Sequence, residues 1–346
     1  MPTPDLGPLL DKAEALLEKY QTFSISSLIP KGWMANEEQE FDRKLKGAES
    51  IKNSLNAKIA KELSAKTRKK YLPDGEVRIV FDFSKENAEP EVRAELQPIF
   101  VFGRYKKLIP GLSQSRWICS ECNGKGCARC NEKGRHYESI EERIGEVLKK
   151  HFDSSDYSLH ASGREDVDAR NIAGRPFVME LKEPRKRKAQ LGRVSKEIGE
   201  GKEVEVVDFA LVPRSFVEVV TESHFDKEYE AEVEFENDIG DAELGKIRTL
   251  AGTMLEQQTP NRVMHRRADL VRKRKVIELI QVKTQDSRHA TFKIKAEAGT
   301  YIKELISGDE GRTVPSFAGV LGFGAKCVNL TVTRIDDQYL DTCLEE

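Results

Sequence analysis

Four cysteines within twelve residues place the strongest constraint on how this chain folds. They form the spacing C-x2-C-x4-C-x2-C, with members Cys119, Cys122, Cys127 and Cys130. Glycines at 124 and 126 let the backbone turn tightly between the pairs, so four thiolates can converge tetrahedrally, as zinc prefers. An iron cluster fits less well because no redox cofactor motif accompanies them, and buried free thiols remain the alternative. The spacing therefore predicts a closed, structural zinc site.

Composition limits the cellular compartment and the mode of nucleic-acid binding that we expect for this chain. The chain has 346 residues and six cysteines, and its first residues lack the basic start and apolar stretch of a signal peptide. Such cysteine usage favours a reducing, cytoplasmic compartment, and no apolar run approaches the ~18 residues that span a bilayer. Net charge is only −2, from 57 basic and 59 acidic residues. Any nucleic-acid binding must therefore come from local basic stretches, such as Arg185–Lys188 and Arg262–Lys275.

Hydrophobic periodicity predicts an α+β protein with an accessory domain at 1–115, the cysteine module at 116–136 and a larger domain at 137–346. The first domain should contain two amphipathic helices, at 6–20 and from Ile51 to Leu63, and strands at 77–83 and 98–101. A capping-box pattern at Ser139 and Glu142 should begin a helix that ends near His151. A mixed sheet should follow, with strands at 177–181, 204–211, 216–220, 229–235, 276–282 and 291–295.

Three polar residues of the larger domain have roles that periodicity leaves open. Asp166 lies in a polar loop over 162–170, where an aspartate is usually a turn or salt-bridge residue. Tyr229 faces the interior side of its strand, which is typical of a core tyrosine. Lys303 lies near the beginning of a helix, where most lysines are solvated. Each residue is ambiguous alone.

Four segments taken together, in order, resemble the tenth family of tRNA pseudouridine synthases, found in archaea and many eukaryotes. They are SGREDVDARNIAGRPFVMEL (162–181), DKEYEAEV around Tyr229, QTPNRVMHRR (258–267) and AGTYIKELISGDEGRTVPS (298–316). The cysteine knuckles resemble those of archaeal members. Matching motifs extend over about 97–335, and they imply a pseudouridine synthase catalytic domain with a mixed sheet, preceded by a THUMP-like α/β accessory domain.

The resemblance also implies roles for individual residues. The catalytic aspartate of the superfamily follows a glycine-arginine-x pattern, which here gives Asp166, with Asp168 as the second choice. Tyr229 falls on the active-site tyrosine that stacks on uracil, and Lys303 on the basic partner of the aspartate. Three further residues are implied to contact substrate: Arg164, Ile302 and Leu305. The basic motif is assigned to RNA contact through Arg262, His265, Arg266 and Arg267.

The implied reaction isomerises uridine at positions 54 and 55 in the T arm of tRNA. The N1–C1′ bond breaks, the uracil turns, and it rejoins the ribose through C5. Since no atoms enter or leave, no organic cofactor is expected, and the sequence has no P-loop or dinucleotide fingerprint. One ionised carboxylate serves either as nucleophile or as ribose-directed base. The target nucleotide must be flipped out of its loop to reach it.

Two other functions compete with this interpretation. A zinc-containing module could bind tRNA without catalytic activity and present it to another enzyme. A methyltransferase or thiolation enzyme with a THUMP domain would need a glycine-rich cofactor turn or a nucleotide loop, and the sequence has neither. The expected partner is tRNA, with no membrane and no obligatory protein partner.

Overall fold

The computed structural model describes residues 5–30, 51–85, 89–264 and 268–345. They fall into two compact units. The first is Met1–Ile99 with Phe152–Asp156 and Leu181–Lys188, and the second is Phe100–His151 with Tyr157–Glu180 and Ala189–Glu346. Within the described ranges, no helix has both the length and the apolar character that crossing a bilayer requires.

In the described residues of the first unit, two helices pack against a small sheet. Its elements are α1 (Gly7–Leu17), β1 (Thr22–Leu28), α2 (Ile51–Thr67), β2 (Lys70–Tyr71), β3 (Val77–Asp82) and β4 (Glu91–Leu96). Strand β1 pairs in parallel with β2 and β3, and β3 pairs antiparallel with β4. The helices form because apolar residues recur every three to four positions, and those residues are buried against alternating apolar residues of the strands. Both helices and the strand at 77–83 were predicted from the sequence.

The boundary after this unit differs from the sequence prediction of residue 115. The strand expected at 98–101 extends over Ile99–Lys107 (β5) and pairs antiparallel with β8 (Val204–Val212) in the larger sheet. Eight of its nine residues are buried. Such a run is typical of a strand covered on both faces. The N-terminal segment of the first compact unit therefore ends at Ile99.

The second unit is built on one ten-stranded sheet. After β5, the elements are α3 (Ile140–Phe152), β6 (Asp156–Ala161), β7 (Arg170–Lys182), α4 (Leu191–Gly199), β8, α5 (Phe216–Glu222), β9 (Lys227–Phe235), α6 (Asp241–Arg248), β10 (Met254–Gln258), β11 (Val271–Asp286), β12 (His289–Ala296), α7 (Ile302–Ser307), β13 (Thr313–Val314), α8 (Phe317–Leu321), β14 (Ala325–Ile335) and α9 (Tyr339–Glu345). The strand order is β13-β10-β11-β12-β9-β14-β7-β5-β8, and β6 pairs with β7. Because β14 pairs antiparallel with β9 but parallel with β7, the sheet is mixed, and the α+β class is confirmed.

One predicted strand of this unit is a helix. The segment 216–220 was expected to be extended because valines dominate it, yet residues Phe216–Glu222 form α5. Phe216 and Val220, four positions apart, are its buried residues. That spacing fits one face of a helix, so packing decides the conformation over the β-propensity of valine.

Helix α3 begins as its sequence predicts. The Glu142 amide donates to Ser139 Oγ at 3.1 Å, and Ser139 Oγ donates to Glu142 Oε2 at 2.7 Å. Gly145 lets this helix approach β6 closely, because a Cβ at this position would lie 2.2 Å from the Tyr157 ring. The glycine is therefore required by packing rather than by backbone conformation.

Replacing Gly145 with alanine is expected to destabilise the protein, although alanine is the better helix former. The clash with a buried ring should cost ~1–3 kcal/mol, more than the ~1 kcal/mol gained in helix propensity. Gly245 in α6 is the matched control, since its Cβ would meet nothing within 4 Å. Urea unfolding should show Gly145→Ala less stable and Gly245→Ala more stable than the parent, and a stabilised Gly145→Ala would contradict the packing.

Candidate active site

A cavity of about 800 Å³ opens in the second unit. It is bordered by the loop between β6 and β7, by β9, by a 3-10 helix at Asn261–Val263 and by the loop that leads into α7. The predicted site residues among its lining are Arg164, Asp166, Tyr229, Arg262, Ile302 and Lys303. Segments separated by up to about 140 positions in the sequence thus border one space.

Hydrogen bonds to its backbone carbonyls hold the loop that carries Asp166 in place. Buried Lys107 of β5 donates from Nζ to the carbonyl of Asp166 at 3.0 Å and to that of Val167 at 2.7 Å. The Gly111 amide donates to the same Val167 carbonyl at 2.8 Å. Gly163 begins the loop at φ +72°, a conformation that favours glycine. Burial lowers the pKa of Lys107 to about 8. The Asp166 side chain therefore projects from a fixed backbone.

A buried ion pair lies beneath this loop. Arg175 of β7 is 1% exposed and donates from Nε to Glu165 Oε2 at 2.6 Å and from Nη1 to the Ser162 carbonyl at 2.9 Å. The Tyr105 hydroxyl donates to Glu165 Oε1 at 3.0 Å and accepts from Gln114 Nε2 at 2.9 Å. Both charges are thus paired and hydrogen-bonded, which an ion pair at this depth requires. The pair fixes the residue immediately before Asp166.

Two cations lie beside the Asp166 carboxylate, and Arg262 is nearer to it than Lys303, the partner that the resemblance implied. Arg262 Nη1 donates to Oδ1 at 2.6 Å, whereas Lys303 Nζ lies 3.7 Å from Oδ2. Lys303 instead contacts both Asp168 oxygens, at 2.6 and 2.7 Å. Burial would raise the pKa of Asp168, but the Lys303 ammonium outweighs it and lowers that pKa. Lys303 is therefore shared between two aspartates, and Arg262, assigned from the resemblance to RNA contact, is the nearer cation of Asp166.

Tyr229 lies in the same cavity, on the central strand β9. Its side chain is 8% exposed, and burial raises the pKa of its hydroxyl to about 12, so it is neutral near pH 7. Its strand neighbours are Ile294 of β12 and Val332 of β14. A neutral ring held in a sheet and facing a cavity can stack on a planar base.

The other residues that the resemblance implies for substrate contact differ in whether they line the cavity. Arg164 is exposed at the cavity wall, and Ile302 is buried but still lines it. Leu305, one helical turn from Ile302, is fully buried in the hydrophobic core and does not line the cavity. His265, Arg266 and Arg267 lie outside the described residues.

The four cysteines lie together, as their spacing predicts. Their Sγ atoms all fall within 4.8 Å of one another, and three pairs are 3.7–3.8 Å apart. Backbone amides point at the sulfurs, with Gly126 donating to Cys122 and both Cys127 and Gly134 donating to Cys130, each at 3.2 Å. Tetrahedral Zn–S bonds of ~2.3 Å would place the sulfurs ~3.8 Å apart. The cluster can therefore hold a metal ion of that size.

Sequence reasoning missed several residues that position the site. Lys107 and Tyr105 lie on a strand outside the matching segments, and Arg175 lies within the segment 162–181 but was given no role there. Gln257 was also missed: its side chain donates to the Tyr301 carbonyl and accepts from the Tyr301 amide, each at 2.9 Å. It thereby fixes the backbone two residues before Lys303. Buried polar side chains in strands are the signal that would have found them, and burial is visible only in the fold.

Known proteins resemble this chain over most of its length. The family model described as "Pus10, C-terminal" matches residues 100–336. Proteins named tRNA pseudouridine synthase Pus10 include one from Korarchaeum cryptofilum, 37% identical over 96% of this chain and 90% of that protein. Another, from Archaeoglobus fulgidus, is 38% identical over 93% of this chain and 90% of that protein. A solved Cbf5–Nop10–Gar1 complex has a TM-score of 0.34 and 17% identity, over 68% of this chain and 60% of that chain, a likeness too low to support a conclusion.

The family model and these relatives show the class of the protein, which is an isomerase of the pseudouridine synthase kind. The chain belongs to the Pus10 family, because the family model covers more than half of it and the relatives exceed 30% identity over nearly all of it.

Proposed function

We propose that this chain isomerises uridine to pseudouridine at positions 54 and 55 in the T arm of tRNA, with Asp166 as the catalytic carboxylate. One observation carries the proposal: Asp166 projects into a cavity that also contains the Tyr229 ring, with cations of Arg262 and Lys303 beside it. The two cations pair with the carboxylate, and a tyrosine ring offers a stacking platform for a base.

The chemistry needs only these groups. The N1–C1′ bond breaks, the detached uracil rotates, and C5 bonds to C1′; the proton on C5 leaves and N1 gains one. Asp166 either attacks C1′ or takes a ribose proton, and in both roles it must be ionised and close to the sugar. Tyr229 would hold the uracil by stacking while it is detached. Ile302 would contact it from the cavity wall, and exposed Arg164 would contact the backbone of the flipped nucleotide.

We assign contact with the tRNA backbone to the basic residues that follow β10. The stretch includes His265, Arg266 and Arg267, and it continues as Arg272–Lys275 in β11, where Lys273 and Lys275 are exposed. Because the protein as a whole is slightly acidic, a local patch must supply most of the attraction for phosphate.

Reversing the charges of Arg266 and Arg267 to glutamate is expected to weaken tRNA binding without unfolding the protein. Each lost phosphate contact should reduce the slope of log affinity against log salt concentration by ~1. Binding titrations at several salt concentrations measure this slope. An affinity that is independent of salt in the parent, or a slope unchanged in the variant, would refute the assignment.

We further propose that the first unit is the THUMP-like RNA-binding domain and that the cysteine cluster holds a structural zinc ion. The sulfur spacing and the amide-to-sulfur bonds support zinc, because zinc thiolate sites have this geometry. Four protein ligands leave no position for a reacting water. Zinc, once bound, would tie together the loop over 119–134.

Removing the metal should therefore affect stability before it affects chemistry. The parent should contain one zinc per chain by elemental analysis, and Cys122→Ser should lose it and melt several degrees lower. Cys327→Ser, which changes a cysteine outside the cluster, is the control and should retain the metal. A parent purified without zinc that neither binds added zinc nor gains thermal stability from it would exclude the site.

Incubation of the protein with an unmodified tRNA transcript, followed by mapping of pseudouridine, tests the proposed function. Modification at 54, 55 or both is expected. Tight tRNA binding without any pseudouridine would favour the alternative, a zinc-containing tRNA-binding module without catalytic activity.

A further inference from the structure

We propose that Arg262 is a positioning residue for the reaction: its guanidinium, anchored by the buried carboxylate of Glu304, sets the orientation of Asp166. The inference rests on the proposed function, since it assigns Arg262 a part in catalysis rather than in RNA contact.

The guanidinium of Arg262 bridges two carboxylates. Nε and Nη2 donate to the two oxygens of Glu304 at 2.6 and 3.2 Å, and Nη1 donates to Asp166 Oδ1 at 2.6 Å. The fork geometry of arginine makes the first contact bidentate and leaves the third nitrogen aimed in one direction. Burial opposes the charge of Arg262, but the hydrogen bonds and nearby carboxylates outweigh it and raise its pKa. Arg262 is therefore a permanent, directed cation at Asp166.

Glu304 explains why the guanidinium is held there. It lies in α7 and is only 4% exposed, and among the described residues Arg262 alone donates a side-chain hydrogen bond to it. An unpaired carboxylate at this depth would be strongly destabilising. Glu304 is also too buried to meet a tRNA phosphate, and its charge would repel one. Its role is consistent with an anchor for the arginine.

The backbone of Arg262 is fixed as well. The Asn261 amide donates to Asp309 Oδ2 at 3.0 Å, and Arg312 donates from Nε and Nη2 to the Thr259 carbonyl at 3.2 and 2.8 Å. Both ends of the arginine side chain are thus constrained. A residue meant to follow a flexible RNA backbone would not require this.

Lys303 does not make Arg262 redundant. Its ammonium is 3.7 Å from Asp166 but 2.6 Å from Asp168, so its attraction is divided. Among the described residues, Arg262 is the side chain that donates a hydrogen bond to Asp166 Oδ1. Since catalysis by a carboxylate depends on its orientation toward the reacting carbon, an error of ~1 Å costs ~100-fold in rate.

The test separates positioning from RNA binding through kcat and KM, measured as pseudouridine formed in unmodified tRNA. Arg262→Gln together with Glu304→Gln keeps the buried position neutral, so the double variant should fold like the parent. Its kcat should fall ~100-fold with KM changed less than ~3-fold, the pattern of an interaction made in the transition state. The kcat of Arg262→Lys should be ~10-fold higher than that of the double variant, because an ammonium restores the charge but not the forked geometry of the guanidinium.

Two further variants sharpen the interpretation. Glu304→Gln alone keeps Arg262 but removes its anchor, and its kcat should fall ~10-fold. Arg288→Gln removes an exposed arginine that pairs with Asp238 and should leave kcat unchanged. A double variant whose KM rises while kcat at saturating tRNA is retained would overturn the proposal and make Arg262 an RNA contact. A parent that forms no pseudouridine would overturn the proposed function, and this inference with it.

Discussion

Replacing Asp166 by asparagine should abolish pseudouridine formation while tRNA binding persists. The amide has nearly the same shape and can still accept from Arg262, but it can neither attack C1′ nor take a proton. Loss of the group that performs the chemistry should reduce the rate on the order of 10⁴-fold or more. Single-turnover formation of pseudouridine at saturating enzyme measures this rate, and filter binding measures the affinity for tRNA.

Asp168→Asn is the matched control for this experiment. Its side chain is 72% exposed and directed at Lys303, so its removal should cost less than ~10-fold in rate, as for an exposed ion pair. Freed from Asp168, Lys303 should interact more strongly with Asp166. Abolished activity in Asp168→Asn with activity retained in Asp166→Asn would reverse the assignment of the catalytic aspartate.

Replacing Arg175 by methionine should have the largest effect on stability of any single change proposed. Glu165 would remain buried without its cation, beside the Tyr105 hydroxyl. Breaking a buried ion pair by removing one partner costs ~3–5 kcal/mol in the free energy of unfolding. Urea unfolding measures this loss, and activity should fall with it because the loop that carries Asp166 loses its support.

The double variant Glu165→Gln with Arg175→Met should recover at least half of the lost stability, since no buried charge then lacks a partner. Arg288→Met is the matched control, because it makes the same substitution in an exposed ion pair with Asp238. It should lower the free energy of unfolding by less than ~1 kcal/mol. If Arg175→Met unfolds at the same urea concentration as the parent, the buried pair has no structural role.

Much of this fold follows from local pattern. Alternation from Tyr229 to Phe235 gave a strand with one buried face, and the Ser139 and Glu142 pair gave the beginning of α3. The four cysteines converge because their spacing and glycines leave few other arrangements. Asp166, by contrast, was assigned through resemblance to a family, since its loop alone resembles many turns.

The failures have a common physical cause. Residues 216–220 have the β-propensity of a strand, but burial of Phe216 and Val220 on one face favours a helix. The strand that begins at Ile99 was assigned to the wrong domain, because its pairing with β8 joins positions over 100 residues apart. Arg262 was assigned to RNA contact through the family's basic motif, and its contacts with Asp166 and Glu304 were not predicted because both residues are distant in sequence. Tertiary pairing decides these cases, and local pattern does not encode it.

Release of tritium from tRNA that carries [5-³H]uridine tests the central claim most directly, because the C5 proton leaves only when C5 bonds to the ribose. The parent protein should release tritium from uridines in the T arm of an unmodified transcript, and Asp166→Asn should release none above background while binding the same tRNA. Equal release by the parent and by Asp166→Asn, or no release by either despite tight binding, would contradict the assignment of this cavity as an isomerase site.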